Sequence, residues 1–160
     1  MKGLLIFMFV FMANSINIIA FSQIKTNKSI NIMEFKITII SLYFGRDDNK
    51  TIISQDSISS QEKIHKSNKE KNIRKLTKTE KEKLNEFLSD FPLQTLKKSY
   101  VNRNVKDGIQ MKFIIEINNN SKEIFVANVF QEDLGKLVAL ISPMLPDNFY
   151  MYKKTNIYPY

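Results

Sequence analysis

The sequence predicts an α+β fold in which two amphipathic helices pack on one face of an antiparallel sheet. Three observations lead to it: several segments alternate apolar and polar residues with period two, two segments carry apolar residues at helical spacing, and polar stretches rich in Asn or Gly separate them. The predicted order is ββα-ββα-β. If the first return strand lies outside the sheet, the order becomes βαββαβ, which is ferredoxin-like.

Residues 1–22 have the layout of a secretory signal peptide. Lys2 gives a positive start, an apolar run follows over residues 4–13, and Ala20 and Ser22 place small residues before the expected cleavage site. An uncleaved anchor is the alternative, but polar residues at 14, 15 and 17 interrupt the run. We expect a single domain over residues 23–160, periplasmic or extracellular after cleavage near Ser22, which meets the membrane only transiently through the signal peptide.

The composition limits the chemistry and the partners. The 160 residues include 24 Lys and Arg against 16 Asp and Glu, a formal net charge of +8, one His and no Cys. A cysteine-free exported domain is typical of a bacterial envelope rather than of eukaryotic secretion. The basic charge suits an anionic partner, although AT-rich codon usage also produces many lysines; nucleic acid is not expected as a partner of an exported protein.

The N-terminal half is predicted to hold one hairpin and one insertion. The first strand covers about residues 32–44, and its alternation changes phase at Ile39 and Ile40, which predicts a β-bulge there. A turn over residues 45–50 leads to a short return strand at 51–53. Residues 56–72 have little apolar content and are expected to form a flexible or partly helical basic insertion.

The two helices are predicted from capping signals and apolar stripes. Thr77 and Glu80 form a capping box, and Pro92 ends the first helix. Acidic residues precede the second helix, and Pro143 ends it. The stripes comprise Leu84, Phe87, Leu88 and Phe91 in the first helix, and Leu134, Leu137, Val138 and Ile141 in the second. A last strand is expected over residues 149–154.

Residues 109–130 are predicted to form a β-hairpin around which the other elements are arranged. Residues 109–117 alternate apolar and polar side chains, and residues 122–130 return with apolar residues on both faces, which is typical of an inner strand. The connecting residues, 118–121, include three Asn, which tolerate a left-handed backbone.

The candidate binding residues lie in the polar connection before this hairpin. They are Tyr100, Asn102, Arg103 and Asn104. Polar loops carried on a rigid scaffold are common binding sites. The alternative is that these side chains hydrogen-bond to the backbone of their own loop.

No catalytic, metal or cofactor site is predicted. The one histidine, His65, lies in the charged insertion without a fixed partner, and a zinc site has too few His or Cys ligands. A carboxylate-dependent hydrolase remains a minor alternative, because glycoside hydrolysis needs only two suitably spaced acids. Its candidates are Glu34, Asp107, Glu116 and Glu123.

Several short motifs resemble small exported proteins of Bacteroidota that have no assigned function. They are residues 76–80 (LTKTE), residues 100–108, the hairpin, and residues 133–137 (DLGKL). The resemblance covers about residues 76–145. It implies a fold and an exported location, and it carries over no activity and no site residues.

The sequence therefore predicts an exported, non-catalytic binding protein of a bacterial envelope whose partner is an envelope protein. An alternative is adhesion to anionic surfaces through the basic tract, residues 61–83, where cations outnumber acids.

Overall fold

Eight strands and two α-helices make up the part of the chain that the computed structural model describes, residues 33–43, 45–64, 67–68, 72–105, 108–145 and 152–154. All of them lie in one compact unit, residues 31–160. The elements are β1 (Phe35–Tyr43), β2 (Arg46–Ser54), β3 (Ser57–Ile64), β4 (Ser67–Asn68), β5 (Asn72–Lys75), α1 (Lys78–Ser89), β6 (Ser99–Val101), β7 (Gln110–Ile117), β8 (Asn120–Ala127), α2 (Glu132–Ile141) and a 3₁₀ turn (Ser142–Met144).

The strands form one mixed sheet in the order β4-β3-β2-β1-β7-β8-β6, and β5 also pairs with β3. β4 pairs with residues 63–64 of β3 and β5 with residues 57–60. All pairings are antiparallel except β6 with β8, which is parallel. β1 therefore lies inside the sheet, between β2 and β7, and β6 closes one end.

Both helices pack on the same face of the sheet. On β7, Met111, Phe113, Ile115 and Ile117 alternate with half-buried residues, and all four belong to the core. The core also takes in side chains from β1, β8, α1 and α2, namely Phe35, Ile37, Ile39, Ile124, Val126, Leu84, Leu88, Leu134, Leu137, Val138 and Ile141. Burying each large aliphatic side chain contributes about 1.5–3 kcal/mol. The predicted α+β class with two helices is confirmed, and the sheet is mixed rather than antiparallel throughout.

Residues on both faces of β1 are buried, which explains why its alternation of apolar and polar residues changes phase at Ile39 and Ile40. Thr38 and Ile40 are each 6% exposed, although they point away from the helices. Pairing with β7 runs without interruption from residue 35 to residue 42. The register shifts only against β2, between Ser41 and Leu42. The bulge predicted at residues 39–40 is therefore wrong in position. Because β1 is buried on both faces, it needs no bulge to bury the side chains of either face.

The order of elements corrects the ββα-ββα-β prediction, and it is not the ferredoxin-like βαββαβ order either. Where an insertion was expected over residues 56–72, the chain forms β3 and β4, and β5 begins at residue 72. β6 adds a parallel strand that was not predicted. Residues 152–154 form no strand; residues 149–151 lie outside the described part.

Local signals set the ends of α1 and the turn of the hairpin. The capping box is present, with Glu80 N donating to Thr77 Oγ1 and Thr77 N donating to Glu80 Oε2. Asn118 and Asn119 have φ of +46° and +66°, the left-handed pair that a two-residue hairpin turn requires. Asn118 N also donates to Glu34 O, which continues the β1 pairing into the turn.

An aromatic cluster fixes the start of α2. Gln131 caps the helix, its Oε1 accepting from Leu134 N at 2.7 Å. The hydroxyl of Tyr152 accepts from Gln131 N and donates to Val129 O, and burial raises its pKa to about 12. The Tyr152 ring stacks on Phe130 with 5.3 Å between ring centroids.

Neither described helix has the length and apolar content needed to cross a bilayer.

Candidate binding surface

β6 is the last strand at one end of the described sheet, and β8 is its single described partner. Phe125 N donates to Lys98 O and Asn102 N donates to Ala127 O, both at 2.9 Å. These two bonds bracket the strand, so the peptide groups of Tyr100 point toward β8. Because successive residues of a strand point their peptide groups to opposite sides, those of Ser99 and Val101 point away from the sheet.

Asn102 fixes the loop that leaves β6. Asn102 is 7% exposed, and its side-chain Oδ1 accepts a hydrogen bond from Asn104 N at 2.9 Å, which forms an Asx turn. Arg103 and Asn104 are exposed on the outside of this turn. The loop is thus held from within while two polar side chains project from it.

Tyr100 has a shaping role in the same loop. Its ring is half-buried and packs against the core, and its hydroxyl accepts from Lys97 N at 2.9 Å. Of the four predicted binding residues, Tyr100 and Asn102 therefore bond to their own loop, and Arg103 and Asn104 face solvent. All four lie in one stretch, which we call the edge segment and define as residues 97–104.

A second buried amide supports the edge segment from the side of the hairpin. Asn128 follows β8 directly, has φ of +57° and is 6% exposed. Its Nδ2 donates to Val105 O at 3.2 Å, and its backbone N donates to Ile109 O at 2.9 Å. A Cβ on Gly108 would lie 2.1 Å from Asn128 Oδ1, so this close approach requires glycine. Asn128 was not among the predicted binding residues, although an Asn at a strand end is a recognisable signal for a left-handed residue.

The edge segment is positively charged and partly apolar. Lys97, Lys98 and Arg103 are exposed, and residues 93–105 contain no Asp or Glu. Val101 is 45% exposed, one of two large hydrophobic residues so exposed in the described part of the chain. Glu123, on the neighbouring strand, already pairs with Lys112 at 3.5 Å. The segment therefore combines cations with one unprotected β-branched side chain.

In the basic tract, residues 61–83, three of the five cations whose side chains the structure describes take part in ion pairs. Arg74 binds Glu80 at 2.7 Å, Lys81 binds Asp56, and Lys78 lies 3.9 Å from Glu82. The hydrogen bond from Lys81 is the main cause of the lowered pKa of Asp56. Of the three acids in these pairs, Asp56 is the one that lies outside the tract.

The structure brings together two of the four acids considered for hydrolysis. Glu34 and Glu116 line an open pocket of about 470 Å³ at the end of the sheet, together with Asp56 and Lys36. Glu123 does not line it, and Asp107 lies outside the described residues. Among the residues that the structure describes, no group of three or more His, Asp or Glu is arranged to hold a metal ion.

Comparison with protein families, with curated proteins and with solved structures finds no match to this chain. The predicted signal peptide and His65 lie outside the described residues.

Proposed function

We propose that this chain is an exported, non-catalytic binding protein that docks an envelope protein through the edge segment. The observation that carries the proposal is the buried Asn102, whose side chain and main chain hold the loop so that Arg103 and Asn104 project from it. A loop that is ordered before binding loses less conformational freedom when the partner arrives. The signal-like residues 1–22 support export.

The edge segment is favoured over the basic tract because its cations are not paired within the loop. In the tract, by contrast, Arg74 and Lys81 are engaged by acids of the same chain. A free cation at the rim of an interface accelerates association and improves selectivity, whereas a paired one must first give up its partner.

The test is a pull-down from envelope extract of the source organism with immobilised residues 23–160, read by mass spectrometry at about 0.1 M and about 1 M NaCl. We expect one protein to be captured in stoichiometric amount and to stay bound at the higher salt concentration. The double variant R103A/N104A should lose it, and the control K83A, which removes one exposed cation from α1, should retain it.

Two outcomes contradict the proposal. If R103A/N104A captures the partner as well as the wild type does, the edge segment is not the docking site. If material is retained only at low salt, adhesion to anionic surfaces through exposed lysines is the better explanation, because screening removes such binding. Export is tested separately, by whether the processed protein begins near Gln23.

A further inference from the structure

We infer that the edge segment binds an extended acidic segment of its partner, which adds to the sheet as a strand beside β6. This inference rests on the proposed function and specifies the chemistry of the partner and the mode of binding. It comes from three features of the described residues: the direction of the peptide groups of β6, the exposed side chain of Val101, and the charge of the flanking residues.

The backbone of β6 offers hydrogen bonds on its open side. The bonds from Phe125 N to Lys98 O and from Asn102 N to Ala127 O use the inward peptide groups. The N–H and C=O of Ser99 and Val101 point outward, which is the template that an added strand uses. Because Asn102 holds the end of the strand, this template is ordered before a partner arrives.

The side chains at this edge do not discourage pairing. Proteins protect sheet edges with proline, bulges or charges within the strand. β6 has the sequence Ser-Tyr-Val, with none of these, and Val101 is 45% exposed. An apolar or β-branched residue of an added strand would cover it. The strand has three residues, so main-chain bonds alone give weak binding and the flanking charges must add to it.

Charge identifies the partner segment as acidic. Lys97 and Lys98 precede β6 and Arg103 follows it, and all three are exposed. An added strand with carboxylates near both of its ends would meet a cation at each end. A second copy of this chain fits poorly, because pairing β6 with itself, or with β5 and its Lys75, would bring like charges together.

The inference is tested with a synthetic peptide of alternating Glu and Val, capped at both termini, titrated into the purified protein by calorimetry. A peptide of alternating Lys and Val serves as the control. We expect binding of the acidic peptide alone, with affinity that falls several-fold between about 0.1 M and about 1 M NaCl. Hydrogen exchange of the Ser99 and Val101 amides should slow on binding. No acidic-peptide binding, or equal binding of the two peptides, overturns the inference.

The variant V101P removes the outward N–H without touching a bond to β8, and proline is tolerated on an edge strand in that position. V101T is the matched control, since it keeps the N–H and the β-branched shape. We expect V101P to bind the acidic peptide at least about tenfold more weakly than V101T. Equal binding by the two variants excludes strand addition. Melting curves establish that both variants are folded.

A second measurement leaves the protein unchanged. Acidic peptides N-methylated on alternate residues block one edge of the added strand at a time. One methylation pattern should abolish binding and the other should leave it intact; equal effects exclude strand addition. Loss of the envelope partner in R103A/N104A together with unchanged capture by V101P would refute this inference and leave the proposed function standing.

Discussion

Replacing Glu80 with Gln tests the ion pair that ties β5 to the start of α1. Arg74 donates to both carboxylate oxygens of Glu80, at 2.9 and 2.7 Å, and also to the carbonyl of Met144. Chiefly through the Arg74 hydrogen bonds, the pKa of Glu80 falls from 4.5 to about 2. Gln can keep the capping bond from Thr77 N, so E80Q removes the charge and preserves the cap.

The expected magnitude follows from the pKa and the exposure. Each pKa unit corresponds to about 1.4 kcal/mol, which sets an upper limit of about 3 kcal/mol for the contribution of the carboxylate. The side chains of Arg74 and Glu80 are 38% and 21% exposed, so solvent screening reduces this limit. We expect E80Q to lower the free energy of unfolding by about 1–2 kcal/mol at neutral pH.

The effect must depend on pH in one direction. Because the folded-state pKa lies below the unfolded-state value, the stabilisation by Glu80 is fully present above about pH 4.5 and is lost as the pH falls toward about 2. Urea unfolding followed by circular dichroism, on wild type and E80Q at about pH 7 and about pH 2.5, measures it. The difference between the two proteins should shrink at the lower pH.

The matched control is E82Q. Glu82 lies one turn from Lys78 at 3.9 Å with both side chains well exposed, so E82Q should cost no more than about 0.5 kcal/mol. A stability difference between wild type and E80Q that is the same at both pH values would refute the reasoning, as would equal costs for E80Q and E82Q.

Substitutions at three further positions test the packing and the turns. G135A should lower stability by about 1–3 kcal/mol in thermal melts, because the new Cβ would lie 2.1 Å from Phe130 Cζ; an unchanged melting temperature would contradict the contact. Y152F should cost about 1–2 kcal/mol and remove the highest-pH step, near 12, from the ultraviolet titration of the tyrosines; persistence of that step would assign it elsewhere. N119G should stabilise the protein by a few tenths of a kcal/mol or more, since glycine takes the positive φ of +66° without strain, whereas N119V should destabilise it.

The predictions that held depend on neighbours in the sequence. The capping box of Thr77 and Glu80 needs only one helical turn, and the turn at Asn118 and Asn119 needs only residues that accept a left-handed backbone. The alternation over β7 likewise predicted which of its residues enter the core. Local physical chemistry was sufficient for these elements.

The predictions that failed depend on distant partners. The sequence of β3 is mostly polar, yet β3 is an inner strand between β2 and β5, and its Ser59 and Ser60 are 8% and 4% exposed. β6 has three residues, and its pairing with β8 defines it as a strand. For the same reason the sequence pointed to Arg103 and Asn104 but not to Val101, because only the pairing with β8 shows that the peptide groups of Val101 point away from the sheet.

The central position of β1 has a consequence for the order of folding. Its first partner, β2, follows immediately in the sequence, whereas its second partner, β7, is synthesised only after α1 and β6. A chain that emerges from its N-terminal end can therefore form the β1-β2-β3 meander early, with one flank of β1 unpaired. The sheet is completed only when the β7-β8 hairpin pairs with β1. This pairing joins residues far apart in the sequence, which makes it a slow step in folding. During that interval β1, which later lies inside the sheet, has one edge open to pairing with another chain.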